Sequence, residues 1–325
     1  MYRKPLISVI IPVYNIEKEI YKTLNSVYLQ SYNNLQIIIV NDGSTDKSLE
    51  ICLKYAEKDD RIILIDKRNE GISMARKSGL EVATGEYIHH LDGGDYIDKD
   101  MYRTLVEELN KEHFPDVVVF GFYYVSSGKI ERSQPYPLHI ASSMEILKHI
   151  WTTHQYNAVW QYIHKRELSD KITFNQKLNI GEDTWYTTQL IYNTKTLKFF
   201  NGCLYYYVVN QYSMTRTVLS DRNVQSVYLV SDLIEKFMSD KPQYHELKKE
   251  LLALKLQAYA TILLGGRLEY IAGFAREFND AFQEYPQLKY TGVIKRVRKI
   301  VILYTKNRFL YHILIKYYRI KGKIR

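Results

Sequence analysis

Four short, mostly apolar segments, Leu6–Ile11, Leu35–Val40, Arg61–Ile65 and Tyr87–Leu91, alternate with stretches of helical periodicity. Glu17–Gln30 places Ile20, Leu24 and Val27 on one face, a second helix running to Lys58 does the same with Ile51 and Tyr55, and a third covers Ile72–Ala83. Brief apolar strands separated by amphipathic helices predict an α/β fold, a mainly parallel sheet with helices on both faces. In such sheets ligands bind beyond the carboxyl ends of the strands. The polar clusters Tyr14-Asn15, Asn41–Asp46, Arg68–Gly71 and Asp92–Asp95 all follow strands and therefore converge on that edge.

The fourth cluster, Asp92-Gly93-Gly94-Asp95, carries the most chemistry. Hard divalent cations want oxygen ligands, and glycine lets backbone approach a ligand closely, so the turn suits a phosphate-bound cation. Acidic glycine turns are also common as plain structure, so the weight comes from the accompanying loops. His89 and His90 precede the turn, but alternation along a strand points them to opposite faces, and they are expected to be structural. Further on, a helix at Met101–Lys111 and a strand at Asp116–Gly121 are followed by an expected irregular loop, Ser126–Pro137, and a helix at Ser143–Thr152. Beyond Arg216 the pattern is mostly helical, with breaks near Pro242 and Pro286.

At 325 residues the chain has room for one large domain or a domain with an appendage. Cys52 and Cys203 form neither a disulfide framework nor a zinc spacing, which favours a reducing, cytoplasmic setting. The start, Met1-Tyr2-Arg3-Lys4-Pro5, leads straight into a strand and has no signal-peptide pattern. The net charge of +9 is concentrated: Lys295–Arg325 holds eleven Lys/Arg and no Asp/Glu, which leaves the preceding body at −2.

The ordered motifs Ser8–Asn15, Val40–Asp46, Arg68-Asn69-Glu70-Gly71, Leu91–Asp95 and Gly181-Glu182-Asp183 resemble family 2 glycosyltransferases of the GT-A fold. The likeness is to the bacterial branch that builds capsular, exopolysaccharide and other cell-surface glycans. Ala158-Val159-Trp160, His164–Leu168 and Ser213-Met214-Thr215-Arg216 resemble that branch too. The resemblance implies a GT-A domain over 1–216, with a nucleotide-binding half at 1–121 and an acceptor half at 122–216. A helical region over 217–325 would follow, ending in the basic amphipathic tail 293–325. The implied activity is inverting transfer of a sugar from a nucleotide diphosphate, expected to be UDP, to an acceptor hydroxyl. A lipid-linked intermediate of a surface glycan is the expected acceptor. The chemistry agrees: a diphosphate leaves well only when its charge is neutralised, and the acceptor hydroxyl needs a base.

The resemblance also implies roles. Pro12 and Tyr14 would wall the nucleotide pocket, Asp42 would accept the N3–H of the base, and Arg68 would contact nucleotide or phosphate. Asp42 has a plainer role available, in a turn leading into a helix capped by Ser44 or Thr45. Asp92 and Asp95 would hold a Mn2+ or Mg2+ ion with the diphosphate. The family pattern is Asp-x-Asp, and Gly94 stands where its second aspartate belongs, which leaves three alternatives: Asp95 supplies the ligand after a small shift that Gly93 and Gly94 permit, Asp92 holds the ion with diphosphate and water alone, or metal binding is weak or lost. Asp183 resembles the catalytic base, although acids at a helix start are also favoured by the helix dipole. His164, Lys165, Arg166 and Arg216 lie where the family places basic residues near the diphosphate. Trp151, Trp160 and Trp185 suit sugar stacking, with core packing expected for at least two.

In the tail, Ile294, Val297, Ile300, Val301 and Tyr304, then Phe309, Leu310, Ile313, Leu314 and Tyr317, recur at helical spacing between Lys and Arg. The apolar runs are too short to span a bilayer, which needs about 20 residues. A basic amphipathic helix pair on the anionic inner face of the cell membrane is expected; a helix packed on the catalytic domain is the plainer alternative. No nucleic-acid module is present. The competing reading is a catalytically weakened homologue that binds nucleotide or glycan, or acts as a scaffold, motivated by Gly94. A nicotinamide dehydrogenase is disfavoured by Pro12-Val13-Tyr14-Asn15, which lacks the glycine fingerprint. A nucleotidyltransferase is disfavoured because no glycine-rich, lysine-bearing loop follows the first strand.

Overall fold

The computed structural model describes residues 2–133, 142–153, 155–209, 218–290 and 292–321. These form two compact units. The first draws on Met1–Glu145, Ala158–Gln176 and Gln189–Asn210, the second on Ile146–Asn157, Lys177–Thr188 and Gln211–Arg325. The expected boundary after Arg216, like the Ser213–Arg216 motif, lies outside the described residues.

In chain order the elements are β1 (Ile7–Val13), α1 (Ile20–Tyr28), β2 (Leu35–Asp42), α2 (Ser48–Ala56), β3 (Ile62–Lys67), α3 (Ile72–Val82), β4 (Tyr87–His90), β5 (Tyr96–Ile97), α4 (Met101–Lys111), β6 (Val117–Ser126) and β7 (Lys129–Arg132). Then come α5 (Ser143–Thr153), β8 (Tyr162–Lys165), α6 (Arg166–Ser169), α7 (Glu182–Tyr192), β9 (Leu197–Val208), α8 (Asp221–Met238), α9 (Lys248–Leu264), α10 (Ile271–Glu284), α11 (Gly292–Lys306) and α12 (Arg308–Ile320).

The first unit is built on one sheet, ordered β3-β2-β1-β4-β8-β6-β9-β5, with β7 beside β6. β1 lies between β2 and β4 and is buried along its whole length, which is why it reads as an unbroken apolar run. Its two faces serve two layers. Val9 and Ile11 pack with Ile37, Ile39 and Leu24, while Ile10 packs with Ile38, Ile88 and Ala75 of α3. Each such buried side chain contributes about 1.5–3 kcal/mol. The parallel arrangement expected from the sequence holds from β3 through β4. β8 interrupts it, antiparallel to both β4 and β6, and β6 and β9 are parallel again, so the sheet is mixed. The irregular loop expected from Ser126 is instead a β-hairpin as far as it is described. β6 and β7 pair across Ser127-Gly128, both with positive φ, the backbone that a two-residue hairpin turn requires.

The second unit has a helical core in which Val227, Leu256, Phe278, Val297, Ile300 and Ile315 are buried. Tyr259 stacks flat on Phe274 with centroids 4.1 Å apart. Ser220 caps α8 by accepting from Asn223 N, and Asn307 caps α12 by accepting from Leu310 N. Among the described residues no helix is long and apolar enough to cross a membrane. The expectation of two surface-lying tail helices needs correction for the first of them. Ile294, Val297, Ile300 and Val301 of α11 are fully buried in this core, so these residues turn into the protein and are not offered to a membrane.

Candidate active site

The loops after β1, β2, β3 and β4 emerge at one sheet edge, and side chains lace each to the next. Between the first and second, Asn15 Oδ1 accepts from Thr45 N at 2.7 Å and Ser44 Oγ accepts from Asn15 N at 3.1 Å. Asp46 accepts from Glu17 N at 3.0 Å, and Glu17 accepts in return from Lys47 N at 2.9 Å. Much of the Asp42–Asp46 motif therefore works on its own loop geometry. Tyr14 is 50% exposed and Pro12 is buried at the base of this loop.

Asp42 joins the second loop to the third. Its Oδ2 accepts from Gly71 N at 2.8 Å, and its Oδ1 accepts from Glu70 N at 3.0 Å and from Lys67 Nζ at 3.3 Å. Lys67 also pairs with Glu70. Burial pulls the Lys67 ammonium down, but the hydrogen bonds to Glu70 and Asp42 outweigh it and hold the group above its ordinary value. Arg68, on the same loop, is exposed.

Arg76, on α3, joins the third loop to the acidic turn. It is 2% exposed and its guanidinium donates to Asp92 Oδ1 at 2.8 Å. The turn itself is packed against the first loop. A Cβ on Gly93 would stand 2.7 Å from Pro12 O and 2.4 Å from Ile16 Cδ1, so only glycine fits. Gly94 has φ +102, a backbone that L side chains rarely adopt, although the space around it is open. The missing aspartate is thus accompanied by a backbone that would resist it. Thr23 of α1 pins the turn, accepting from Gly94 N at 3.0 Å and donating to Asp95 O at 2.6 Å.

Asp95 departs from expectation. It is 5% exposed; its Oδ2 accepts from Tyr205 OH at 2.6 Å and its Oδ1 from Val208 N at 2.7 Å. Burial, with the neighbouring Asp92 charge adding to it, lifts this carboxyl to about 8, against the partial counter-pull of those hydrogen bonds. The expected second metal ligand is therefore a buried link between the turn and β9, because its oxygens face inward. Among the described residues no group of three or more His, Cys, Asp or Glu is arranged to hold a metal. Asp92, 26% exposed at its side chain, is the acid that the turn presents. One carboxylate together with diphosphate and water suits Mg2+ or Mn2+, which retain several waters; a two-carboxylate site does not fit.

Tyr205 completes the turn, since its OH also accepts from Asp92 N at 3.3 Å. Its ring stacks on Trp160 at 4.3 Å, and Trp160 stacks in turn near Tyr207 at 5.6 Å. Phe122 meets Trp160 edge-on, and Tyr124, 43% exposed, meets Phe122 in the same way. An aromatic strip thus runs from the acidic turn up β9 and β6.

Other expected residues fall elsewhere. β8 runs against β4 with Lys165 opposite Tyr87, so Lys165 and Arg166 emerge at the edge away from the acidic turn. Lys165 is ion-paired with Asp116 at 2.9 Å. His164 is fully buried and donates from Nδ1 to Lys165 O at 3.0 Å. Burial holds it to about 4, which removes it as a cation for a diphosphate. His89 donates from Nε2 to Trp160 O, so its Nδ1 must accept from Tyr102 OH at 2.8 Å. Burial likewise depresses it to about 4, and the structural reading of His89 and His90 is met. Trp151, Trp160 and Trp185 are all buried, which fits packing. In the second unit, Asp183 sits in the first turn of α7 after Gly181, half-buried, and its carbonyl accepts from Thr187 Oγ1 at 2.8 Å.

Arg76, Thr23, Lys67 and Tyr205 were not singled out from the sequence. For Arg76 a signal existed: it shares the core-facing stripe of α3 with Ile72, Ala75 and Gly79, and a charge at a core position implies a buried partner.

The Glycosyl transferase family 2 profile matches residues 8–183. A relative, the uncharacterized glycosyltransferase EpsJ of Bacillus subtilis (strain 168), is 34% identical over 218 residues, 65% of this chain and 63% of EpsJ. The chain thus spans less than two thirds of that relative's length. Among solved structures, S. aureus TarS 1–349 in complex with UDP-GlcNAc superposes with a TM-score of 0.68 at 20% identity, over 96% of this chain and 91% of that one. The mannosyltransferase PcManGT of Pyrobaculum calidifontis, in complex with GDP-Man and Mn2+, gives 0.54 at 17% identity over 84% and 76%. The fold they share with this chain is GT-A.

Proposed function

The chain belongs to glycosyl transferase family 2, and on that premise we propose that it transfers a sugar from a UDP-linked donor to a hydroxyl of a cell-surface glycan precursor, with inversion. The observation that carries this reading is the edge where four loops meet, cross-linked by Asp42 and Arg76 and presenting Asp92. TarS, which shares the fold, binds UDP-GlcNAc, and this supports a uridine nucleotide. Glu70 N and Lys67 engage Oδ1 of Asp42 and Gly71 N engages Oδ2, which leaves Oδ2 one lone pair, and with it Asp42 accepts the N3–H of uracil. Tyr14 and Pro12 wall the base, and Arg68 reaches for phosphate.

Asp92 is the protein ligand for a divalent ion, with the donor's diphosphate as its partner. Such an ion supplies neutralisation of the charge that develops on the leaving UDP. Arg76 fixes the Asp92 carboxylate in position. Asp183 acts as the base: as the acceptor oxygen bonds to the anomeric carbon and the bond to UDP breaks, the hydroxyl proton passes to its carboxylate. The expected acceptor is carried on a lipid at the inner face of the cell membrane. The membrane part of this reading attaches to the C-terminal helices and stands apart from the transfer site.

The test is calorimetric titration of the purified chain with UDP, in Mn2+ and again in EDTA. Tight binding only with metal, abolished by Asp92→Asn, supports the assignment. Equal binding in both conditions removes the ion from the site. No binding in either sinks the UDP-donor reading.

A further inference from the structure

α12 has two apolar faces, and only one is covered. At about 100° per residue, Tyr311, Ile315 and Tyr318 fall on one side of the helix, and these pack into the core of the second unit. Phe309, Leu310, Ile313, Tyr317 and Ile320 fall within about 100° of arc on the other side. They are 74%, 45%, 51%, 48% and 74% exposed. Arg308, Lys316 and Arg319 border this stripe on one flank and Lys321 on the other, all exposed. No acidic residue follows Glu284 in the chain.

A row of five large exposed apolar side chains on one helix is not ordinary surface. What covers it must accept hydrocarbon in the middle and positive charge at the rim. A second copy of the chain fits poorly, because a two-fold contact brings the same basic rim against itself. α12 has 13 residues, about 20 Å of helix, against the roughly 30 Å of a bilayer core. It therefore lies in the plane of a surface. α11, whose apolar residues are buried, fixes it to the rest of the second unit.

We propose that the Phe309–Ile320 stripe is the surface by which this chain lies on an anionic membrane. The apolar side chains sit at the acyl boundary, and Arg308, Lys316 and Arg319 sit among lipid phosphates. The proposal assigns this role to α12 and withdraws it from α11. It does not depend on the transferase reading, and its readouts need no activity.

The test is co-sedimentation of the full chain with phosphatidylcholine vesicles containing about one-third phosphatidylglycerol, and with pure phosphatidylcholine, at about 0.1 M salt. Binding to the anionic vesicles is expected to be at least tenfold tighter, and to weaken at higher salt. A variant with Phe309→Ser, Ile313→Ser and Ile320→Ser, whose fold circular dichroism checks, is expected to lose at least tenfold in affinity. Lys316→Glu with Arg319→Glu is expected to bind the two vesicle types alike and weakly. A Tyr317→Trp probe is expected to be quenched by brominated lipid, because the native tryptophans are buried. Unchanged binding by the serine variant overturns the proposal, as does an absence of vesicle binding. Self-association that the serine variant abolishes, without vesicle binding, assigns the stripe to a second copy instead.

Discussion

The Asn41–Asp46 loop and the Leu91–Asp95 turn leave the same sheet edge, each with a deeply buried aspartate, and the fold treats the two carboxylates in opposite ways. Asp42 is met by two backbone N–H groups and an ammonium, partners suited to a carboxylate anion. Asp95 is met by one N–H and a phenol, beside a second acid, and burial lifts it to about 8. The turn thus has two acids in sequence but presents only Asp92, and Arg76 stands behind it. The lesson is that counting acidic residues in a motif overstates its charge when one of them is an internal strut.

The largest effect in this comparison belongs to Arg76→Met. Removing one partner of a buried ion pair costs about 3–5 kcal/mol, and the low end applies here because Asp92 is 26% exposed. Chemical denaturation should show that loss, together with loss of metal-dependent UDP binding; a variant of native stability that still binds UDP breaks the assignment. Next comes Asp42→Asn, where an amide N–H replaces an acceptor facing Glu70 N or Gly71 N. A cost of about 2 kcal/mol is expected, with faster hydrogen exchange at the Glu70 and Gly71 amides. Unaltered exchange there contradicts the role of Asp42 in holding the third loop.

Gly94→Asp restores the family spelling of the acidic turn, and at φ +102 it should cost about 1–3 kcal/mol in backbone strain. Gly94→Ala should cost about as much, and neither should tighten Mn2+-dependent UDP binding. A marked gain for Gly94→Asp alone reinstates the weakened-homologue reading.

The smallest effect is that of Asp95→Asn, under about 1 kcal/mol at neutral pH, because an amide resembles the protonated acid. The pH dependence sharpens it. Unfolded, this carboxyl ionises near 3.8; folded, near 8. Between those values the folded form holds a proton that the unfolded form has released. Its stabilising contribution is therefore full below the unfolded value and is lost as pH rises through the folded one. Melting curves of the parent from about pH 4 to 8 should decline more steeply than those of Asp95→Asn; parallel curves contradict a protonated Asp95.

The strands and the four edge loops were legible in the sequence because burial on both faces forces continuous apolar runs, and because loops with special backbones need Asn, Asp and Gly. Partners across the sheet were not. Nothing in Leu204-Tyr205-Tyr206-Tyr207 distinguishes the tyrosine that ties the acidic turn from neighbours that merely pack. The direction of β8 was equally hidden, since Tyr162–Lys165 reads the same as a parallel or an antiparallel strand. The expectation that Lys165 and Arg166 lie near the diphosphate came from the resemblance alone, and the antiparallel run of β8 carries them to the other end of the sheet. In the tail, α11 and α12 both mix Lys and Arg with large apolar residues, and only tertiary packing reveals that α12 keeps a second apolar face exposed.

The reversal at β8 bears on how the protein is made. β4 has β1 on one flank from the start, but its other flank pairs with β8, where Ile88 meets His164. A ribosome adding about 5–20 residues per second takes several seconds to cover that interval of roughly 75 residues. Throughout it the nascent sheet shows an open strand edge with unpaired backbone groups, an invitation to pair with another emerging chain. Demand for a chaperone should therefore peak while the residues between Ile88 and His164 are being added, and ease once His164 has cleared the exit tunnel.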